Sequence, residues 1–269
     1  MLRTDERNGG RRRGWPGSLV VVSALVLSVA TAQAPAGASP AAGRLDDRPT
    51  PFGISLGRWT GLWWDWAYAP PVHDPPYTGP VSNPLVDQTG ADCGVGQAGP
   101  VWFLAGLNTS GSVTRSCTVP AGKELFFPLI NIEGDNIGVV PPLGPGQIRR
   151  ILTSLVDTTT ELHLSIDGTN VPQGALFADR VASPVFSYSL PPQDNIVQGF
   201  EDGQGYIFPV LSDGYWVMLK PLSSGAHVID FGGSAFGGFS LDVTYDLTVA
   251  PSSAAREKAT SGSIHTERG

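Results

Sequence analysis

Between Phe239 and Val249 apolar and polar residues alternate without a break. Phe239, Leu241, Val243, Tyr245, Leu247 and Val249 point one way; Ser240, Asp242, Thr244, Asp246 and Thr248 point the other. A period of two with one wet face specifies a half-buried antiparallel strand. The pattern recurs. Leu162, Leu164 and Ile166 alternate with Glu161, His163 and Ser165, and Asp167-Gly168 then turns the chain. Phe186, Tyr188 and Leu190 share a face. Asp213-Gly214 reads as a turn into Tyr215–Leu219, and Ser224-Gly225 as a turn into His227–Phe231. Earlier, Val101–Leu104, Ser112–Thr118 and Lys123–Ile130 are strand-like, and Pro128 marks an edge or a bulge. Several strands separated by turn signals predict a mainly β fold: an antiparallel β-sandwich, jelly-roll or Ig-like, with one or two short helices.

The helices are legible from the 3.6-residue period. Ser55 is placed to cap a helix in which Trp59, Leu62, Trp63 and Trp66 fall on one stripe and Pro70-Pro71 ends the run. Trp64 lies off that stripe and is expected to be exposed. Ile148, Ile151, Leu152 and Leu155 form a second stripe after Pro145-Gly146. Between Pro71 and Pro100 lies a long loop dense in Pro, Gly, Asp and Asn, a length that often serves function.

At the N-terminus Arg11–Arg13 precede an apolar run from Ser18 to Ala30 and then small residues, the order of a secretory signal peptide. The run of 13 residues is shorter than the roughly 20 that span a bilayer. The chain divides into a signal peptide (1–38), a polar leader (39–51), one β-sandwich domain with its Trp-rich helix (52–250) and a charged, Ser-rich tail (251–269). Cleavage after Ala38 removes five of 17 basic and two of 24 acidic residues, leaving about −10. Such a surface argues against nucleic acid and anionic membranes as partners. No membrane-spanning segment is expected after cleavage. The two cysteines, Cys93 and Cys117, predict one disulfide in a secreted or extracytoplasmic compartment.

Three segments are familiar together: Trp59–Trp66 (WTGLWWDW), Asp87–Gly106 (DQTGADCGVGQAGPVWFLAG) and Cys117–Asn131 (CTVPAGKELFFPLIN), with Asp213–Gly233 adding to them. In this order they resemble a group of secreted bacterial proteins of uncharacterised function. The resemblance covers most of the mature chain. It implies a shared fold and carries over no activity. The SSGAHVIDFGG stretch also resembles the late hairpin of many Ig-like and carbohydrate-binding sandwiches.

Two groups of residues suggest chemistry. Exposed indoles stack on sugar rings and anchor interfaces, which singles out Trp64. Acidic and amide side chains gather at Asp87 and Asp92 before Cys93, and at Asn131, Glu133, Asp135 and Asn136 after the Phe126–Ile130 strand. Oxygen-rich loops of this kind suit calcium, with Asp87, Asp92, Glu133 and Asp135 as ligands. The same acids have the residue types of a glycosidase pair. His163 is expected to face solvent, and His227 to be a hydrogen-bonded core residue. No HExxH motif or complete dinucleotide fingerprint is present. The reading is non-catalytic binding of an extracellular glycan or surface polymer by Trp64, Asp87, Asp92, Asn131, Glu133 and Asp135. The alternatives are a polysaccharide hydrolase using paired carboxylates and a structural envelope protein.

Overall fold

Strands form where the period of two runs, and helices where it gives way to 3.6, in a computed structural model that describes residues 50–197 and 205–251. All of these lie in one unit, Ser39–Gly269. The expected signal peptide, nearly all of the leader and nearly all of the tail fall outside the described residues. Among the described residues no helix is long and apolar enough to cross a membrane.

The fold is mainly β. One sheet holds β1 (Val101–Phe103), β3 (Glu124–Gly134), β8 (Tyr206–Leu219) and β6 (Arg180–Ala182) in that order, with β7 (Phe186–Ser189) also pairing β8. The other holds β2 (Gly111–Val119), β10 (Phe239–Val249), β9 (Gly225–Ala235), β4 (Glu161–Ile166) and β5 (Thr169–Asn170). Most pairings are antiparallel, as a sandwich of hairpins requires. Each sheet also has one parallel pair, β1 with β3 and β2 with β10. The hairpin at Asp167-Gly168 forms as its residues dictate: both have positive φ, 51° and 75°, and Ile166 pairs Thr169.

Leu125, Phe127 and Leu129 of β3 and Val217 and Leu219 of β8 pack against Leu164, Ile229, Phe231, Val243 and Leu247 of the other sheet. That is the sandwich core. The first sheet is also covered on its other face. There Phe126, Trp216 and Met218 meet Trp59, Trp63, Trp64 and Trp66 of α1 (Leu56–Tyr68). Burial on both faces explains why the front of β3 is a continuous apolar run rather than an alternating one. The second helix, α2 (Pro145–Val156), lays Ile148 and Leu152 beside Leu211.

Ser55 caps α1 as its sequence predicts, accepting from the Arg58 amide. The buried arc differs from the expected stripe. Trp64 is only 7% exposed, whereas Leu62 is 43% exposed. Thr60, Trp64 and Ala67 are buried together with Trp59, Trp63 and Trp66, so the covered face is broader and rotated away from Leu62. Trp64 is held edge-on by Trp63 at 5.0 Å and by Tyr68 at 5.1 Å between ring centroids.

Asp213-Gly214 is not a turn. Both residues lie in the middle of β8, paired with Ile132 and Asn131 of β3. The Asp213 carboxylate accepts from the Arg180 guanidinium at 2.9 Å, so the acid is satisfied inside the sheet. A Cβ at Gly214 would stand 2.5 Å from the Ile130 carbonyl oxygen; glycine here marks a close backbone approach.

Pro128 coincides with a bulge in a central strand, not with an edge: the β3–β8 register slips between Pro128 and Ile130. A one-residue slip exchanges the two faces for every residue beyond it. Before the bulge, Phe126 faces α1 while Leu125 and Phe127 face the sandwich core. After it, odd-numbered residues face the helix: Glu133 meets Tyr68 of α1, while Gly134 backs onto Ile148 of α2.

Candidate functional site

The bulge decides what stands beside α1. It brings Asn131 and Glu133, both on β3, to the same cavity as Trp64 and Tyr68 of α1. The β1–β2 connection contributes Leu107 and Asn108, and the β9–β10 hairpin contributes Phe236 and Phe239. The cavity is about 270 Å³, just below the roughly 300 Å³ at which pockets for drug-sized ligands begin.

Three of its lining residues carry a buried polar atom without a hydrogen-bond partner: Trp64 Nε1, Asn131 Nδ2 and Glu133 Oε2. The contrast within the helix is direct. Trp59, Trp63 and Trp66 donate their indole N–H groups to the carbonyls of Pro51, Leu104 and Val95 at 3.2, 3.0 and 2.8 Å. Buried polar groups are ordinarily paired, and each one left unpaired costs about 1–3 kcal/mol.

The other Glu133 oxygen, Oε1, accepts from the Tyr68 hydroxyl at 3.4 Å. Two residues on, Asp135 Oδ2 accepts from the Tyr188 hydroxyl at 2.5 Å and Oδ1 from the Ile137 amide at 2.7 Å. The two phenol rings meet edge to face at 4.9 Å. Burial, reinforced by the negative charge of Asp135, pushes the Glu133 carboxyl up to about 8, against the pull of the Tyr68 hydrogen bond. Burial and the same two acids raise the Tyr68 phenol well above its ordinary value. At neutral pH Glu133 is therefore mainly a neutral acid, which both donates and accepts.

Four of the six residues expected to form the site thus stand on one side of the first sheet: Trp64, Asn131, Glu133 and Asp135. Trp64, Asn131 and Glu133 line the cavity, and Asp135 flanks it through Tyr188. Asp87 and Asp92 do not line it. The Asp87 carboxylate accepts from the amides of Thr89, Gly90 and Asp92 at 2.7, 3.0 and 3.0 Å and from the Thr89 hydroxyl at 2.9 Å. Burial would raise the Asp87 carboxyl, but these donors hold it below the ordinary range. It is the organiser of a loop. That loop is fastened by the Cys93–Cys117 disulfide, with Cα atoms 5.9 Å apart, and by Gly90, where a Cβ would stand 2.3 Å from the Ser116 carbonyl oxygen.

The four acids expected to share a calcium ion do not gather. Among the described residues, three metal-ligating side chains come together at His163, Asp230 and Asp242, on the outer face of the second sheet. There His163 Nε2 is 3.7 Å from a carboxylate oxygen of each acid. His163 is partly exposed, in keeping with its place on the wet face of β4. His227 is mostly covered and pairs with Asp167 at 2.8 Å and with the Ser223 carbonyl at 2.8 Å.

Arg115 escaped the sequence reading because it occupies an inward position of β2. It is 1% exposed and donates to the carbonyls of Asp87, Ala105 and Gly106 and to the Tyr245 hydroxyl, at 2.7–3.0 Å. It ties the disulfide loop and the β1–β2 connection, which forms one wall of the cavity, to β10. Tyr68 and Tyr188 were also missed, since nothing in the local sequence of either points to the acids after β3. Compared with known protein families, characterised proteins and solved structures, the chain matches none.

Proposed function

We propose that this chain is an extracytoplasmic binding protein that takes the end of a glycan or surface polymer, one ring deep, in the cavity between α1 and β3. The observation that carries the reading is that Trp64, Asn131 and Glu133, each with a buried polar atom that lacks a partner, line one cavity. A sugar hydroxyl accepts twice and donates once, which complements two N–H donors and a carboxyl group. The disulfide agrees with an oxidising compartment. Burial of Trp64 argues against a polymer laid lengthwise over exposed indoles. It favours insertion of a terminal unit.

A second reading has one specific observation in its favour. Glu133 is protonated at neutral pH and stands two residues from the acid Asp135, the unequal pairing that acid catalysis of glycoside cleavage uses. Incubation with soluble chitin, cellulose and peptidoglycan oligosaccharides separates the two. Binding without new reducing ends, weakened by Trp64→Phe, supports the binding protein. New reducing ends that disappear in Glu133→Gln support the hydrolase. Neither binding nor cleavage contradicts both.

A further inference from the structure

We infer that the group this cavity selects is a secondary amide, as presented by an N-acetylated sugar; this rests on the reading of the cavity as a binding site. Asn131 and Glu133 lie two residues apart on one face of β3. The polar groups around the cavity suit an amide. The amide oxygen has two lone pairs for the N–H groups of Trp64 and Asn131, whose partners are missing. The amide N–H finds an acceptor in the carbonyl oxygen of the neutral Glu133 carboxyl, a group that keeps one oxygen without a partner. As a mainly neutral acid, Glu133 puts no full charge beside an uncharged ligand.

Apart from Asn108 and the Tyr68 hydroxyl, the rest of the lining is largely apolar. Leu85, Leu107, Phe239 and Leu241 offer nothing to a hydroxyl but accept a methyl group. Simple hexoses consist of ring and hydroxyls and leave that wall uncovered. An acetamido group supplies the carbonyl, the N–H and the methyl within a few ångströms of one another. The same chemistry occurs in an acetylated or peptide amide, so the test carries both sources.

The full chain is titrated by calorimetry with N-acetylglucosamine, glucose, glucosamine and N-acetylalanine N-methylamide. The expected result is that N-acetylglucosamine binds at least about tenfold more tightly than glucose and glucosamine, and that Trp64→Phe weakens it about tenfold, the scale of one hydrogen bond made to a buried donor. Asn131→Leu, at a half-buried strand position, serves the same purpose if the tryptophan variant does not fold. Binding of the peptide amide as tight as that of the acetylated sugar supports the amide and assigns a peptide source; preference for the sugar assigns a glycan. If glucose binds as tightly as N-acetylglucosamine and Trp64→Phe weakens both, the amide inference is overturned and the cavity reading stands. If none of the four binds, both are overturned.

Discussion

Tyr68 donates to one oxygen of Glu133 across the boundary between α1 and β3, at 3.4 Å, and leaves the other oxygen without a partner. A helix thus holds a carboxyl group that its own strand does not satisfy. Because the group is buried beside Asp135, it keeps its proton to about pH 8.

Stability should therefore fall as pH rises across that range. In the unfolded chain Glu133 releases its proton near its ordinary value of 4.5; in the folded protein it does so near 8. Below 4.5 both states are protonated and the contribution is fully present. Between the two values the folded state binds the extra proton, and stability declines with a slope approaching about 1.4 kcal/mol per pH unit from this group. Urea denaturation of the wild type and Glu133→Gln at pH 5 and pH 8.5 measures it. The glutamine variant is expected to lose less stability between the two pH values than the wild type does; an identical loss contradicts the burial of this carboxyl.

Gly214 is set against β3 with no room for a side chain, because a Cβ would lie 2.5 Å from the Ile130 carbonyl oxygen and 2.7 Å from the Asn131 Cα. Gly214→Ala is expected to cost about 1–3 kcal/mol through backbone displacement. The displacement would be next to Asn131, so ligand affinity should fall with stability. Thermal melts and binding measured on the same variant check both.

Arg115 is buried with four hydrogen bonds to three carbonyls and a phenol. Arg115→Met keeps much of the volume and removes the donors. It leaves the acceptors of Asp87, Ala105 and Gly106 without this partner and is expected to destabilise by about 3 kcal/mol or more. A denaturation midpoint within error of the wild type would show that the guanidinium is dispensable.

The Cys93–Cys117 bridge closes a span of 24 residues. By chain entropy its removal costs about 3 kcal/mol. Paired serine substitution should lower the melting temperature, and hydrogen exchange should rise first in the segment from Asp87 to Gly99, where the Asp87 acceptor cluster also sits.

The fold was legible where side-chain period and turn chemistry act locally. The alternation of β10, the Asp167-Gly168 hairpin and the Ser55 cap all follow from nearby residues, and the disulfide from there being two cysteines. Part of the candidate site was legible for the same reason: Asn131, Glu133 and Asp135 stand out as polar residues ending an apolar strand. Their common orientation was not, because it depends on the slip at Pro128–Ile130, and that slip is visible only against β8. A single stripe of indoles puts Trp64 on the exposed side, whereas the sheet covers a wider arc of α1. Asp213-Gly214 has the residues of a turn, but the Arg180 ion pair and the close approach of β3 place it inside a strand. Asp87 has the appearance of a cation ligand, yet its acceptors are taken by the amides of its own loop.

The central claim is that the indole N–H of Trp64 is held for a ligand. Nitrogen–proton correlation spectra resolve tryptophan side-chain signals individually. On titration with N-acetylglucosamine oligomers, the Trp64 signal should move and saturate, while those of Trp63 and Trp66, already bonded to Leu104 and Val95, stay close to their starting positions. A Trp64 signal that stays fixed while the oligomers bind elsewhere on the chain would contradict the account.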